Sequence, residues 1–430
     1  MALFICSNCG YGSASWLGKC PHCSQWNTFK EQPSFEKDSN TKNEKLMKMK
    51  ITTLKKISTL EKGRIKTGIF EFDRVLGGGF IPGAIILLTG EPGVGKSTLL
   101  LQSLQNIKTI YISGEESAEQ VKERAQRLKI NMDNMLFSDS LQIEGIIKGL
   151  KDMENKYDVI VIDSIQTIYS KEIDSPPGSI SQLKEAAAQI AIFGKKYKKS
   201  VIIVGHITKG GDIAGPKTLE HMVDCVINFE GEKVSNFRIL RSRKNRYGAS
   251  DEIGIFEMKE AGLHEVKNPL LFLDNTSQRL EGKAIIGIAE GKRCLFFEIQ
   301  TLAVPTMLPI PRRVVKGLNY NKILLLLAVV RKHLKISLDK YDIYVNIVGG
   351  VDIKSTGADL GFIASLISSI KDIPLSSNSI FTGEVGLSGE IRKTYFQDKI
   401  INEAKRLGFK NIYSSNNVTN VYFLKKLLKF

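Results

Sequence analysis

The sequence lacks any apolar run that approaches the ~20 residues needed to cross a bilayer. Its apolar stretches, such as AIILL at 84–88 and ILLLLAVV at 323–330, are typical of a buried strand and a buried helix. The opening residues, MALFIC, lack the charged region and the long apolar region of a secretory signal. We therefore expect a cytoplasmic protein with no membrane partner.

Cysteine is also scarce, with six residues in 430, and four of the six lie within the first 23 positions. A disulfide framework is disfavoured in a cytosolic chain. The four cysteines instead follow the spacing C-x2-C-x10-C-x2-C, in which two pairs of thiolates complete a tetrahedral site with no open position for catalysis. This spacing predicts a structural Zn²⁺ site whose ligands are Cys6, Cys9, Cys20 and Cys23.

Residues 1–29 are therefore expected to form a zinc ribbon, in which Trp16 and Trp26 cover the small core and His22 is a spectator. The ribbon contacts either DNA or another protein, and the spacing favours neither. Residues 30–52 are polar and rich in lysine, which predicts a flexible basic linker.

Acidic residues are fewer than basic ones: 45 Asp and Glu stand against 61 Lys and Arg, which gives a net charge of +16. Such an excess points to a polyanionic partner, with nucleic acid the first choice and an anionic membrane surface the second. A lysine-rich proteome would produce the same count, so charge alone does not establish that the protein binds DNA or RNA.

GEPGVGKST at 90–98 matches the P-loop pattern G-x-x-x-x-G-K-[ST] and lies between an apolar strand and a helical run. Backbone N–H groups of such a loop bind phosphates, while Lys96 neutralises the β and γ phosphates and Ser97 binds Mg²⁺. The pattern predicts a site for ATP and Mg²⁺. Its residues are Gly90, Glu91, Pro92, Gly93, Val94, Gly95, Lys96, Ser97 and Thr98.

Two other strands end in carboxylates. YDVIVIDS places Asp163 at the carboxyl end of a buried strand, where it suits a Mg²⁺ ligand. TIYISGEES ends in Glu115, a candidate general base for the attacking water, and in Glu116, which can instead cap the helix that follows.

A further strand, SVIIVGHITKGG, ends in His206 and Thr208. His206 is either part of the site or a core histidine whose hydrogen bonds are satisfied. Because strands alternate with helices through this region, we expect a mostly parallel sheet whose strand ends meet at one ligand-binding edge.

FRILRSRKNRYGASDEIGIF at 237–256 is typical of two strands joined by a cationic turn, whose charges are Arg241, Arg243, Lys244 and Arg246. On these residues alone, the turn is a solvated hairpin tip, a DNA contact, or a contact with the nucleotide of a neighbouring subunit.

With the ribbon and the P-loop, the motifs YISGEES, GHITKGGDIAGPKTLEHMVD and RSRKNRYG make the chain resemble the bacterial RadA (Sms) family of RecA-like DNA recombination and repair ATPases. The last motif matches the family's KNRFG signature, with Tyr247 in place of phenylalanine. The resemblance implies a DNA-dependent ATPase that binds single-stranded and branched DNA and drives branch migration during recombination. It also implies a ring-shaped homohexamer, a RecA recombinase as partner, and a place at the nucleoid.

The resemblance assigns roles to two basic segments. In RecA-like motors a residue of the neighbouring subunit completes the nucleotide site. By position, Lys244 and Arg246 are the candidates here, and whether they act on a neighbour's ATP or on DNA stays open. The whole interface motif is Lys244, Asn245, Arg246, Tyr247 and Gly248. Lys209 and Lys217 lie in the segment that resembles the DNA-facing loop.

The carboxyl-terminal third, from YDIYVNIVGG to NEAKRLGF, resembles the proteolytic domain of Lon, whose Ser–Lys dyad would make the chain an ATP-dependent protease. Gly357 occupies the matching serine position and Gln397 the matching lysine position. Ser355 and Lys399 each lie two residues from these positions, which misplaces a nucleophile that needs strict geometry. We therefore expect a Lon-like domain that is not an active protease.

The predicted fold is α/β, with an N-terminal zinc ribbon, a RecA-like P-loop ATPase core around a mostly parallel sheet, and a C-terminal α+β Lon-protease-like domain. The predicted extents are 1–29 for the ribbon, 30–52 for the linker, 53–265 for the ATPase and 266–430 for the Lon-like domain. A regulatory ATPase of the circadian-clock type is a further alternative, but it gives no reason for the ribbon or for KNRYG.

Overall fold

The computed structural model describes residues 3–6, 11–13, 15–32, 53, 63–206, 218–231, 236–266, 270, 280–291 and 293–427. Contacts divide the chain into two compact units. The first is Met1–Asn228 with Lys244–Gly248, and the second is Phe229–Arg243 with Ala249–Phe430. Among the residues described, no helix is long and apolar enough to cross a membrane.

The first unit contains the following elements. Its strands are β1 (Leu3–Cys6), β2 (Gly12–Ser13), β3 (Phe29–Gln32), β4 (Ile85–Gly90), β5 (Thr109–Ser113), β6 (Met135–Ser138), β7 (Val159–Asp163), β8 (Ser200–His206) and the start of β9 (Cys225–Glu230). Its helices are α1 (Phe70–Val75), α2 (Lys96–Leu104), α3 (Ala118–Arg127), α4 (Ile143–Asp152) and α5 (Ile180–Tyr197).

The amino-terminal strands form a small antiparallel sheet in the order β2-β1-β3. Its fully buried apolar residues are Cys6, Cys20 and Phe29, with Phe4, Leu17 and Cys23 packed against them. A core of this size is too small to hold a fold without further cross-links, which explains why the cysteines lie inside it.

The larger sheet of the first unit has the strand order β9-β4-β8-β7-β5-β6, and β4 to β8 all run parallel. A parallel sheet is buried on both faces, so its strands are unbroken apolar runs, as in the fully buried VIVID of β7. The register pairs Gly90 with His206 and Ser113 with Asp163. Because the strands share one direction, these four residues meet at the same edge of the sheet.

The second unit contains the remaining elements. Its strands are β10 (Phe237–Asn245), β11 (Ile253–Lys259), β12 (Gly262–Glu265), β13 (Lys283–Glu290), β14 (Arg293–Pro305), β15 (Arg313–Lys316), β16 (Tyr341–Ile347), β17 (Ser379–Phe381), β18 (Glu384–Val385), β19 (Ile391–Arg392) and β20 (Asn411–Tyr413). Its helices are α6 (Tyr320–Leu334), α7 (Asp359–Lys371), α8 (Gln397–Arg406) and α9 (Val421–Leu427).

A mixed sheet in the order β15-β16-β14-β13-β17-β20 forms the centre of the second unit. Helix α7 packs on β13 and β14 and is almost wholly buried. Helix α6 contains the stretch expected to be a buried helix, but Leu324 and Leu325 are 39% and 49% exposed, so this helix is amphipathic.

The predicted pair of strands around a basic turn is present as β10 and β11, which pair antiparallel, with β12 on the far side of β11. Their residues Ile239, Ile253 and Ile255 belong to the apolar core of the second unit. The second compact unit therefore begins at Phe229, before the boundary between residues 265 and 266 that the sequence suggested. The domain extents stay a prediction. The α/β class, with an N-terminal ribbon and a mostly parallel sheet, is confirmed.

Candidate nucleotide and zinc sites

The P-loop joins β4 to α2, and two of its glycines adopt conformations that side chains rarely tolerate. Gly93 has φ 79° and Gly95 has φ 112°, and Gly95 is the N-cap of α2. These left-handed residues bend the chain so that it passes from the strand into the helix, whose N-terminus favours an anion. The described loop therefore has the shape that phosphate binding requires.

Lys96, at the start of α2, is buried and is held by neutral acceptors. Its Nζ donates to the carbonyl oxygens of Gly90 at 2.9 Å and Glu91 at 3.1 Å. Burial lowers the pKa of Lys96, while the nearby carboxylates of Asp163 and Glu115 raise it in opposition. An ammonium that is held by neutral acceptors in a partly desolvated site can transfer to a stronger, anionic acceptor such as a phosphate.

Asp163, the last residue of β7, receives two hydrogen bonds on the same carboxylate oxygen. Ser97 Oγ donates to Oδ2 at 2.9 Å, and the hydroxyl of the buried Tyr111 donates to Oδ2 at 2.5 Å. Burial raises the pKa of Asp163, whereas the two hydrogen bonds lower it. Burial also raises the pKa of Tyr111 well above its ordinary value, and Asp163 adds to this effect. The phenol is therefore a donor to the carboxylate.

The geometry of Ser97 and Asp163 fits Mg²⁺. Adjacent oxygen ligands of an octahedral Mg²⁺, each about 2.1 Å from the ion, lie about 3 Å apart. The two side-chain oxygens are 2.9 Å apart. One ion can therefore take both as ligands with little rearrangement of either side chain.

Glu115 and His206 meet next to Asp163. His206 Nε2 lies 3.0 Å from Glu115 Oε1, and its Nδ1 lies 3.2 Å from Lys96 Nζ. An ammonium can only donate, so Nδ1 accepts and Nε2 carries the proton that faces Glu115. Ser164 Oγ also donates to Glu115. His206 is thus hydrogen-bonded to two candidate site residues and is not an ordinary core histidine.

Glu116 has a different environment from that of Glu115. Both of its carboxylate oxygens accept from Arg124 of α3, at 2.5 and 2.6 Å. It does not cap α3, because Ser117 is the N-cap and forms a capping box with Gln120. The bidentate pair occupies the Glu116 carboxylate, which leaves Glu115 as the better placed of the two for a water at the site.

Sequence reasoning missed Tyr111 and Ser164, although both lie inside motifs that it had singled out. Tyr111 is a polar residue in the apolar strand β5, and it is 1% exposed. A buried phenol needs a partner. That requirement, together with its position in a strand parallel to β7, could have pointed to Asp163.

The KNRYG motif spans the last two residues of β10 and the turn after them, and it belongs to the first unit. Arg246 Nη1 donates to Asp224 Oδ1 at 3.0 Å, and the other oxygen of Asp224 accepts from the backbone of Ile85 at 3.1 Å. Lys244 Nζ donates to the carbonyl oxygen of Glu220 at 2.6 Å. Ile85 is the first residue of β4 and Gly90 the last, so the Asp224 anchor of this turn lies roughly 16 Å from the P-loop, at the opposite end of the strand.

The remaining residues of this motif shape the turn. Asn245 Nδ2 donates to the carbonyl oxygen of Val75, and its Oδ1 accepts from the backbone of Tyr247. A Cβ on Gly248 would lie 3.0 Å from the Cα of Gly77, so a side chain there would push these two backbones apart by a few tenths of an ångström. Burial raises the pKa of Tyr247, and the nearby Asp224 raises it further.

Arg241 and Arg243, on β10 in the second unit, are held by acidic neighbours. Arg241 Nη1 donates to Glu290 at 2.6 Å, and its side chain is only 13% exposed. Arg243 Nη2 donates to Glu230 at 3.1 Å. These ion pairs connect both arginines to acidic residues of the second unit, and Arg241, which is mostly buried, is not part of a solvated hairpin tip.

The amino-terminal cysteines fit Zn²⁺. The sulfur atoms of Cys6, Cys20 and Cys23 all lie within 4.8 Å of one another, and those of Cys6 and Cys23 are 3.7 Å apart. Sulfur ligands about 2.3 Å from a tetrahedral Zn²⁺ lie about 3.8 Å apart. Cys9, the fourth predicted ligand, lies outside the described residues, as do Thr208, Lys209 and Lys217.

The positions that match the Lon dyad are buried in the second unit. Gln397 is fully buried at the start of α8, where its amide contacts Ser415 and Asn416. Ser355 caps the turn over Gly357, accepting from its backbone N–H at 3.3 Å. Lys399 is exposed, with its ammonium 5.8 Å from the ring centre of Phe396.

Two protein-family models match the chain. The KaiC ATPase model covers residues 65–156, and a zinc-ribbon model described as a rubredoxin metal binding domain covers residues 4–31. These matches support ATP binding and hydrolysis in the first unit and zinc binding in the ribbon.

Curated relatives match nearly the full chain. The DNA repair protein RadA of Listeria monocytogenes is 42% identical over 96% of this chain and 92% of its own length. The RadA proteins of Bacillus subtilis and Escherichia coli are each 42% identical over 95% of this chain and 91% of their own lengths. Among solved structures, the RadB recombinase matches with a TM-score of 0.38 and 20% identity, covering 47% of this chain and 99% of its own.

We expect Tyr111→Phe to raise the Mg²⁺ concentration needed for half-maximal ATP hydrolysis by about tenfold, because Asp163 loses one of the two donors that orient it. Titrating Mg²⁺ against ATPase rate, and against the binding of a fluorescent ATP analogue without turnover, measures the effect.

The control for this experiment is Tyr157→Phe. Tyr157 is also 1% exposed, but its hydroxyl donates to the carbonyl oxygen of Leu150, away from these site residues. A normal Mg²⁺ requirement in Tyr111→Phe would show that the phenol does not orient Asp163.

Proposed function

The chain belongs to the family of the DNA repair protein RadA, and from that premise we propose that it is a DNA-dependent ATPase of homologous recombination. In this proposal it binds single-stranded and branched DNA and uses ATP hydrolysis to drive branch migration. The observation that carries the proposal is the convergence of Lys96, Ser97, Asp163 and Glu115 at one edge of a parallel sheet.

Each of these residues has a task in hydrolysis. Lys96 leaves its two carbonyl acceptors and neutralises the terminal phosphates. Ser97 and Asp163 would hold Mg²⁺, which would neutralise negative charge on the phosphates when bound. Glu115, with its side chain 39% exposed, orients and deprotonates the attacking water.

His206 connects this site to the segment proposed to contact DNA. It is the last residue of β8 and directly precedes the segment with Lys209 and Lys217. When Lys96 turns to a phosphate, His206 Nδ1 loses its donor, while Nε2 still faces Glu115. A change of hydrogen bonding at the end of β8 could thereby couple the nucleotide site to the following segment, whose Lys209 and Lys217 are proposed to contact DNA phosphates.

Lys244 and Arg246 act on the nucleotide of a neighbouring subunit in this proposal. Their turn is anchored at the opposite end of β4 from the P-loop, so they cannot complete the site of their own chain. A ring of six copies gives each turn a neighbour's phosphates to contact. The proposed assembly is therefore a homohexamer around DNA, with the RecA recombinase as partner and the nucleoid as location.

The proposal excludes proteolysis by the second unit. Gln397 has no basic nitrogen, and Gly357 has no hydroxyl, so the two matching positions cannot form a nucleophile and its base. Ser355 and Lys399 do not replace them, since Ser355 is engaged as a cap and Lys399 is exposed beside Phe396. We expect no ATP-dependent digestion of casein, and digestion that Ser355→Ala abolishes would overturn this exclusion.

Single-stranded DNA is expected to raise the ATPase rate of the full chain, and Lys96→Ala is expected to lower the stimulated rate on the order of a hundredfold. The physical reason is the loss of the only buried cation that this described site offers to the terminal phosphates. Lys122→Ala, which removes an exposed lysine of α3, is the control and should keep the wild-type rate. A wild-type rate that is the same with and without DNA would count against a DNA-dependent ATPase.

Lys244→Ala and Arg246→Ala are each expected to keep their affinity for single-stranded DNA and to lose its stimulation of hydrolysis. Anisotropy of a labelled oligonucleotide measures affinity, and phosphate release measures hydrolysis. Arg243→Ala, on the same strand but paired with Glu230, is the matched control. Lost DNA affinity with a normal basal rate would assign Lys244 and Arg246 to DNA instead.

A further inference from the structure

The sequence contains two tryptophans, and both lie on the surface of the zinc ribbon. Trp16 is 54% exposed and Trp26 is 67% exposed, so the expectation that they cover the ribbon core is wrong. The core is closed without them by Cys6, Cys20 and Phe29. Indoles bury more apolar area than most other side chains when they pack inside a protein, so two on the surface of one small module indicate a contact site.

The two indoles converge over Gly18. A Cβ on Gly18 would lie 3.6 Å from Cη2 of Trp16 and 3.9 Å from Cζ3 of Trp26. The edges of the two six-membered rings are therefore within about 7.5 Å of each other, the sum of these two distances. Lys19 is exposed beside them, with its Nζ 5.5 Å from the ring centre of Trp26. We name Trp16, Trp26 and Lys19 the indole surface.

We propose that the indole surface binds single-stranded DNA by stacking Trp16 and Trp26 on unpaired bases, with Lys19 at an adjacent phosphate. This inference rests on the proposed function, since it requires that the chain bind single-stranded DNA. It adds a DNA contact in the ribbon to the one proposed for the segment that contains Lys209 and Lys217.

The charge of the ribbon favours stacking over a phosphate clamp. Between residues 11 and 32 the sequence has two lysines and one glutamate, and Lys30 is already bonded to Asp174 at 2.9 Å. One available lysine cannot make the several phosphate contacts on which strong electrostatic binding to a duplex depends. Aromatic rings instead bind any base through its π-face, but only where the base is unpaired, which selects single strands without selecting sequence.

The two tryptophans also provide the test, because the intrinsic tryptophan emission of the full chain comes from this surface alone. Oligo(dT) carrying a terminal dye is titrated with zinc-loaded protein, and dye anisotropy and tryptophan emission are read in the same samples. We expect emission to fall in parallel with the rise in anisotropy. Trp16→Ala and Trp26→Ala should each weaken binding by about tenfold.

Salt dependence separates stacking from charge. The two tryptophan variants should keep the wild-type slope of affinity against salt, whereas Lys19→Ala should lower that slope by about one ion. Tyr422→Ala, which removes a 65% exposed aromatic residue of the second unit, is the control for loss of a surface ring. Zinc content is measured for every variant, and Trp26→Phe, which keeps a ring, should recover part of the affinity.

The outcomes distinguish this inference from the proposed function. Binding by anisotropy with unchanged tryptophan emission and wild-type affinity in both variants would overturn the inference and leave DNA binding intact. No binding by anisotropy would overturn both. Emission that responds to purified recombinase without DNA, and not to oligo(dT), would make the indole surface a protein contact.

Discussion

The parallel hydrogen bonding of β4, β8, β7 and β5 is the constraint on which the nucleotide site depends. Each strand contributes one residue at its carboxyl end, and the register sets which residues become neighbours: Gly90 beside His206, and Ser113 beside Asp163. A slip of one residue in β8 would exchange His206 for Gly205 next to the P-loop and turn the imidazole to the other face of the sheet. Both faces of these strands are apolar and buried, so a slip is opposed by the close packing of specific side chains and not by an alternation of polar and apolar residues. The packing of the core is therefore also what holds the polar edge in order.

Much of this edge could be predicted from the sequence, because the P-loop and the strand-terminal acids are local patterns with one structural outcome. The partners of those residues could not be predicted in the same way. Tyr111 of β5 contacts Asp163 of the neighbouring strand β7, which is 52 residues away in the chain, and His206 contacts Lys96 although 110 residues separate them. Such pairs arise from strand order, which periodicity does not reveal. The tryptophans were misjudged for a different reason: a ribbon held by metal–thiolate bonds does not need them inside, so the usual tendency of large apolar residues to be buried has little force there.

The nucleotide edge and the KNRYG turn differ in whether their buried charged groups already have a counter-ion in the same chain. At the nucleotide edge, Asp163, Glu115 and Lys96 lie close together with neutral donors and acceptors among them, an arrangement that a cation and an anion from outside can enter. At the KNRYG turn, the buried Asp224 already has an arginine. The charges at the nucleotide edge are suited to pair with a bound ion and a bound phosphate. The charge of Asp224 is already paired with Arg246 of the same chain.

The ion pair between Asp224 and Arg246 affects how easily Arg246 can leave Asp224 for another anion. Arg246 is 56% exposed, so water screens this ion pair, but removal of the arginine would still take the nearest cation from the buried Asp224. Asp224 has a second cation nearby, however, since Lys195 Nζ lies 3.7 Å from the same oxygen. The other oxygen of Asp224 accepts a hydrogen bond from the Ile85 N–H. Two basic side chains therefore lie beside one buried carboxylate oxygen, and Asp224 would keep a cation beside it if the guanidinium were drawn to another anion.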